Sequence, residues 1–428
     1  MNDKILLIMR NTYAWHGDHI ESLRRLGLEI HLATQVAGAE DDGRFASVVR
    51  LSPEQNEDQV VGSVLDAARE LGIGTALTFY DADIVPTARV NRELGKEWAS
   101  PETDAITRDK RRQRDFLTAN DLPAPRFAPV ADTAAALRAA ADFSYPFIVK
   151  PSTLAASMGV SLVRDRAELE RAMEDIERLV AQWGGVFRAE DSREIALLEE
   201  FLPGKEVTLD GVVLFGRFHL AGVTNKMQMP GPYFEEDFYT LPFRTPEEEP
   251  GLVSIVDGIV AGLGVRHCLF NAEFRQDTDG NYRVVEFATR MSGGQNYRNL
   301  REVHGLDPVR LYTKALLLDD GAPEAEQRVW EGEVRRTAPQ SATCIKFAYR
   351  TGQLVRNNPG DVFHSPYFRS YVPGSRLGAT LRRAPEGWYE IAGSLAVAGP
   401  YRGTESIDRI EEIAAELDQR LDVVVVPA

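Results

Sequence analysis

Cysteine is scarce in this 428-residue chain. Only Cys268 and Cys344 occur, far apart and without a CxxC or Cys/His spacing, which excludes a disulfide framework and a structural zinc site. Long apolar runs are missing too, since no stretch approaches the roughly 18 residues of a membrane-spanning helix. Positive charge is in deficit, with 49 Lys and Arg against 65 Asp and Glu, a net charge of -16 and a pI near 5.1. That balance disfavours nonspecific attraction to nucleic acid or to anionic membranes and favours small-molecule work. No low-complexity tract or solenoid repeat interrupts a composition that is 43% hydrophobic and 27% charged, ordinary values for a globular protein. No basic leader precedes the first folded pattern, so a cytoplasmic protein is expected. At this length one core does not suffice, and two or three domains are expected.

What is present is most informative between residues 271 and 294. Asn271-Ala-Glu-Phe274 and Val285-Glu-Phe-Ala-Thr-Arg-Met-Ser-Gly-Gly294 read as strands, with Asp277-Thr-Asp-Gly280 between them. A two-residue turn at Asp279-Gly280 pairs Glu273 with Glu286 and Asn271 with Ala288. Directly opposed cross-strand residues have Cβ atoms about 4.5 to 5.5 Å apart, so two carboxylates there repel unless a positive charge sits between them. A divalent cation is the simplest such charge, and the nearby Arg290 and Ser-Gly-Gly backbone suit a phosphorylated ligand. The plainer reading is a surface hairpin with solvated acids.

Upstream, a strand over residues 4–9, a helix over 16–26, a strand over 28–32, a helix over 58–71 and a strand over 75–80 predict a small doubly wound unit. It lacks GxGxxG after the first strand, where Arg10-Asn-Thr-Tyr-Ala-Trp-His-Gly17 stands, so no dinucleotide site is expected. His16 and His19 are expected at the surface or in a cap. The basic run over 108–114 reads as a solvated helix face. A strand ends at Lys150, and the small-residue loop over 152–159 precedes another strand at 160–163; such a loop closes over phosphates with its amides. A helix over 167–182 leads to two strands flanking Pro203-Gly204. Asp307 is expected to cap a helix over 308–318. The last hundred residues alternate short strands (344–349, 389–398) with turns, then give a helix over 406–421 and a strand at 423.

Lys110, Lys150, the loop over 152–159, Glu199-Glu-Phe-Leu-Pro-Gly-Lys-Glu206, Glu273, Glu286 and Arg290 follow one another in an order that resembles the ATP-grasp superfamily. The resemblance is close over residues 90–320, and within the superfamily it is strongest to the carboxylate-amine ligases that include the L-amino acid ligases. It implies an α/β and α+β multidomain fold. A Rossmann-like doubly wound unit would span 1–105, the two ATP-grasp subdomains 106–205 and 206–330, and a small α+β cap 331–428. It implies ATP held by Lys110 and Lys150, by the loop at Ser157 and Met158, by Glu199, Phe201 and Leu202 around adenine, and by Glu206 at the ribose. It implies Mg²⁺ or Mn²⁺ on Glu273 and Glu286. Arg290 and Lys150 would stabilise the transferred phosphoryl group, while Ser292, Gly293, Gly294 and Lys226 would meet substrate. The segments 224–226 and 230–239 resemble the border of an amino acid ligase pocket.

Two departures stand out. Ala288 occupies a position that in this family is commonly an Asn metal ligand, so a carbonyl from Asn271, or simply water, is expected to supply that oxygen. Ala155, Ala156 and Met158 replace the usual glycines and basic residue, which implies a stiffer loop. The resemblance implies an ATP-dependent ligase that joins a small carboxylate to an amine, most simply two amino acids, in making a modified peptide or other secondary metabolite. It leaves room for a homo-oligomer. Two alternatives stay open: an enzyme passing the same acyl phosphate to bicarbonate or a carrier-protein thiol, and a nucleotide-binding regulator without turnover.

Overall fold

The computed structural model describes residues 3–11, 13–187, 193–318, 334–388 and 390–427. The chain opens as a parallel sheet with strand order Ser47–Arg50, Glu29–Thr34, Lys4–Ile8, Ala76–Leu77. Burial on both faces explains the unbroken apolar run over residues 5–8 of strand Lys4–Ile8. The crossover helix Glu57–Leu71 starts at a capping box between Asn56 and Gln59 and stops at Gly72, whose φ of 68° ends it. This is the doubly wound unit expected from the sequence, although its fourth strand covers only Ala76–Leu77 of the predicted 75–80.

His19 is neither a cap nor at the surface. It is buried, with its ring 4.3 Å from that of Tyr297 and 4.8 Å from that of Phe79. His16 stands at the start of helix Gly17–Arg25 without bonding its amides, and burial depresses its pKa to about 4, helped by the charge of Arg290. The expectation failed because the rest of the protein covers this helix, as a core shared by Ile20, Leu23, Leu300 and Val303 shows.

A second, antiparallel sheet of four strands has the order Phe127–Val130, Ala196–Glu200, Phe147–Pro151, Ser161–Val163, and helix Arg166–Phe187 lies on it through Leu169, Met173 and Ile176. The largest sheet is antiparallel and eight-stranded. Its order is Tyr282–Ala288, Cys268–Gln276, Glu206–Leu214, Arg217–Gln228, Glu236–Leu241, Ser341–Ala348, Gly393–Pro400, Phe368–Pro373. The acidic hairpin is thus one end of a sheet whose other end is built from the C-terminal segment. One face carries helix Glu249–Leu263 through Val256 and Ile259; the other carries Asn296–His304 and Pro308–Leu318. As expected, Asp307 caps the latter helix by accepting from Arg310 N at 2.9 Å, and it also takes the Ser22 hydroxyl at 2.6 Å, which ties the first unit down. Three short strands, Thr380–Leu381, Gly352–Asn358 and Asp422–Val426, complete the C-terminal part with helix Glu405–Gln419. The strand predicted from residue 389 runs over Gly393–Pro400, and residue 389 itself lies outside the described residues. Among the described residues no helix is long and apolar enough to cross a membrane.

Candidate active site

A cleft separates the four-stranded sheet from the acidic end of the eight-stranded one. Lys110, Lys150, Glu199, Glu273, Glu286 and Arg290 all line it, together with Asn271, the loop at 154–158 and the segment 199–202.

The hairpin brings Glu273 opposite Glu286 and Asn271 opposite Ala288, as expected, but by a different route. Asp277 N donates to Asn281 O at 2.9 Å, and Gly280 at φ 81° closes a loop longer by one residue than the two-residue turn. Phe274 therefore pairs with Val284, and an irregularity between Glu273 and Phe274 leaves Val285 as the extra residue that restores the register. The bulge is put to use. The Val285 carbonyl accepts from Arg114 Nη2 at 2.6 Å and lies 3.4 Å from Lys150 Nζ, so it joins the hairpin to the opposite wall of the cleft.

Lysines meet the two facing carboxylates. Lys110 Nζ is 3.0 Å from Glu286, and Lys226 Nζ is 3.2 Å from Glu273, 2.9 Å from Glu206 and 3.4 Å from Glu236. Burial raises the Glu273 carboxyl, and Glu206, Glu286 and Glu236 push it further, up to about 7 against the pull of Lys226. Glu286 is held below its ordinary value, because Lys110 and Lys150 outweigh its desolvation. Asn271 donates through Nδ2 to the Arg290 carbonyl at 2.7 Å, which leaves its Oδ1 for the cleft.

Glu199 is buried, with one oxygen 2.8 Å from Arg114 Nε and the other 2.8 Å from Lys150 Nζ. Burial lowers the Lys150 pKa to about 8, the Arg114 and Lys110 charges add to this, and Glu199 opposes it. Helix Lys110–Ala119 is not the solvated face expected of its charge run. Lys110, Gln113, Arg114 and Leu117 form one buried stripe at helical spacing, and Arg114 is fully buried. Removing one partner of a buried pair strands the other charge. Arg114→Met is accordingly expected to cost about 3 kcal/mol of stability, whereas Arg111→Met, losing a part-exposed 2.8 Å pair with Asp115, costs under about 1 kcal/mol. Denaturant midpoints of the two variants test this, and equal losses would refute it.

Arg290 projects from the end of the hairpin. Its Nη2 lies 2.5 Å from Asp81 Oδ2 of the first unit and its Nη1 donates to the Met291 carbonyl at 2.6 Å. Burial would raise the Asp81 carboxyl, yet Arg290 and Arg108 hold it down at about 2. The residue before Arg290 is fixed from behind, where Thr289 Oγ1 donates to Asp104 Oδ1 at 2.7 Å. Burial pushes Asp104 up to about 7, far above the unfolded value near 3.9. A carboxyl with a raised native pKa stabilises fully below its unfolded pKa, and that contribution is lost as pH rises through the native one. Between pH 5 and 8 the parent should therefore lose on the order of 2 kcal/mol relative to Asp104→Asn, measured by denaturant unfolding at both pH values. Parallel pH profiles would show that Asp104 is ionised in the fold as well.

Residues 143–298 match the family model of the ATP-grasp domain. The L-amino acid ligase from Bacillus licheniformis superposes with a TM-score of 0.81 over 100% of both chains at 22% identity. Residues 143–298 are thus an ATP-grasp domain. A biotin carboxylase domain from Hydrogenobacter thermophilus, solved with MgADP, superposes at a TM-score of 0.68 and 18% identity over 99% of this chain and 90% of that one. In sequence the chain is 24% identical over 276 residues to alanine-anticapsin ligase of Bacillus subtilis, covering 61% of this chain and 57% of that protein. It thus spans little more than half the length of that relative.

In and around this ATP-grasp domain several side chains expected to meet ligand are engaged by the protein instead. Both oxygens of Glu199 are taken by cations, Arg114 and Lys150. Leu202 O already accepts from Arg275 Nε at 2.7 Å. Glu206 binds Lys226, Arg275 at 2.9 Å and Gln228 at 2.7 Å. Met158 N donates to Ala155 O at 3.2 Å, and its side chain packs with Leu154, Ala82 and Leu179, while Ala156 and Ser157 hold φ values of 57° and 54°. Ser292 donates its N–H at 2.8 Å and its hydroxyl at 2.6 Å to buried Asp210. At Gly294, φ 69°, a Cβ would stand 2.9 Å from Tyr239, so that glycine serves packing; around Gly293 nothing crowds. Lys226 stands among three carboxylates and is not on the cleft wall. Asn225, in the segment expected to border substrate, bonds Thr240 O and Pro242 O, a latch between strands. Sequence reasoning missed Arg114, Arg275, Asp81 and Asp210. Only Arg114 carried a signal, its spacing of four from Lys110.

Proposed function

We propose that this protein is an ATP-dependent ligase that joins a small carboxylate to an amine through an acyl phosphate, with amino acids as the simplest substrates. One observation carries the reading. Two lysines, two facing acids and an arginine converge on one cleft, with Lys110 on Glu286, Lys150 behind them and Arg290 at the far end. A carboxylate oxygen attacks the γ-phosphorus, the bond to the β-phosphate oxygen breaks and ADP leaves. The amine then attacks the acyl carbon, phosphate departs and the amine's proton is lost. Lys110 and Lys150 hold phosphate oxygens, and Arg290 offsets charge on the transferred group, so catalysis is positioning and charge neutralisation.

The residues fit a hard divalent cation. Glu273, Glu286 and the Oδ1 of Asn271 offer only oxygen donors from two adjacent strands, as Mg²⁺ or Mn²⁺ prefers. When bound, such an ion neutralises phosphate charge. Asn271, opposite Ala288, is placed to stand in for the ligand absent there, which weighs against a protein without turnover. The fourfold division of the chain at 105, 205 and 330 is our reading as well, with the last boundary outside the described residues.

The test is phosphate release with MgATP against single and paired amino acids and simple carboxylates, with mass spectrometry of products. Release that needs an acid and rises with an amine, with loss of water from the pair, supports the ligase. Binding of MgATP without release for any pair refutes it for ordinary amino acids and favours a bicarbonate or thiol acceptor.

A further inference from the structure

A carboxylate of the protein's own sits on two guanidinium groups at the edge of the cleft. Asp81 Oδ2 is 2.5 Å from Arg290 Nη2, and Asp81 Oδ1 is 3.2 Å from Arg108 Nη1. The three side chains keep only 14%, 18% and 11% of their exposure, so this is no solvated surface pair. Arg290 forms part of the cleft wall. Arg108 stands two residues before Lys110, in the junction between helices Pro101–Thr107 and Lys110–Ala119. That junction is rigid, because Asp109 caps the second helix through Arg111 N at 2.8 Å and Lys110 N donates to Ser152 O at 2.8 Å. Two fixed guanidinium groups converging on one carboxylate make a site for a carboxylate or an acyl phosphate.

The main chain on the far side of Asp81 is also pinned. Arg10 donates to Ala82 O at 2.5 Å and, through its backbone N–H, to Asp83 at 2.9 Å. The held backbone leaves rotation of the Asp81 side chain as the way off the two arginines.

We propose that Arg108 is the second cation, beside Arg290, of the site that takes the substrate's carboxylate and its acyl phosphate, and that Asp81 fills this site until the incoming anion displaces it. The inference rests on the ligase reading above. Asp81 keeps the two arginines aligned and neutralised, and an anion that binds there must outcompete it. The site is competent only for the fraction of time that Asp81 is turned away, and the apparent affinity falls by that fraction.

The experiment is calorimetric titration of inorganic phosphate into the full chain loaded with MgADP, for the parent, Asp81→Asn, Arg108→Met and the double variant. Asp81→Asn is expected to bind phosphate about tenfold more tightly than the parent. Arg108→Met is expected to bind it about tenfold more weakly and to cancel the gain in the double variant. Phosphate affinity unchanged or lowered in Asp81→Asn overturns the proposal and makes Asp81 a fixed partner of Arg290 or a receptor for the amine. Parent-like affinity in Arg108→Met overturns it too. If Asp81→Asn does not fold, seen as lost MgADP binding, Arg108→Met alone decides. A parent that does not bind MgADP sinks the ligase reading and this inference with it, whereas MgADP binding with the wrong phosphate pattern sinks only the inference.

Discussion

Glu286→Gln is expected to lower MgATP-dependent phosphate release by about three orders of magnitude while leaving the protein folded. The substitution keeps the shape and removes one charge from the point where Lys110 and Lys150 meet the acidic hairpin. Lys110 lies 3.0 Å from that carboxylate, and nothing else on the same strand replaces it, because the position two residues on is Ala288. Two outcomes separate the explanations. If Glu286 holds the cation, metal-free ATP binds the variant at least as well as it binds the parent, since the lysines are released to the phosphates, and only the metal-dependent gain disappears. If Glu286 merely balances the lysines, ATP binding tightens in both conditions and turnover survives. Activity above about a tenth of the parent's would remove Glu286 from the machinery.

Arg290→Met is expected to lower kcat about a thousandfold with little change in the KM for ATP, because an arginine on a transferring phosphoryl group acts chiefly in the transition state. The geometry is demanding. One guanidinium nitrogen reaches Asp81 at 2.5 Å and another the Met291 carbonyl at 2.6 Å, and a lysine's point charge cannot keep both contacts. Arg290→Lys should consequently recover only a small part of the rate. A fall of less than tenfold in kcat for Arg290→Met, with lowered thermal stability, would make Arg290 an anchor for the first unit and nothing more.

Much of this site is legible in the sequence, and the reasons differ from residue to residue. Lys150, Glu273 and Glu286 stand on strands whose alternation can be read directly. The pairing of the two acids was reached through a turn shorter than the true one, and a bulge at Val285, invisible in the alternation, made up the difference. Arg114 was obscured because a run of basic residues on a helix normally faces water. Here the eight-stranded sheet covers the helix, and a carboxylate 85 residues away supplies the counter-charge. Asp81 could not be found at all, since its partners come from two distant stretches of chain. The roles carried over by resemblance for Ser292, Lys226 and Glu199 assumed donors and acceptors facing a ligand, and sequence order cannot show that buried acids and bases of the protein have already claimed them.

The eight-stranded sheet that runs from the acidic hairpin to strand Phe368–Pro373 has a consequence for how this chain can be divided. Its C-terminal part is not a module that could be trimmed away or exchanged between relatives. A chain ending before Ser341 would leave Glu236–Leu241 with a bare row of backbone donors and acceptors where Ser341–Ala348 now pairs, an invitation to association with other copies. At the opposite border the sheet is finished by a side chain: the amide of Gln113 exchanges hydrogen bonds of 3.1 Å with both the N–H and the carbonyl of Phe287, as a neighbouring strand would. The helix that presents Lys110 to the cleft is thereby also the sheet's border, so any recombination point placed between them would cost solubility before it cost chemistry.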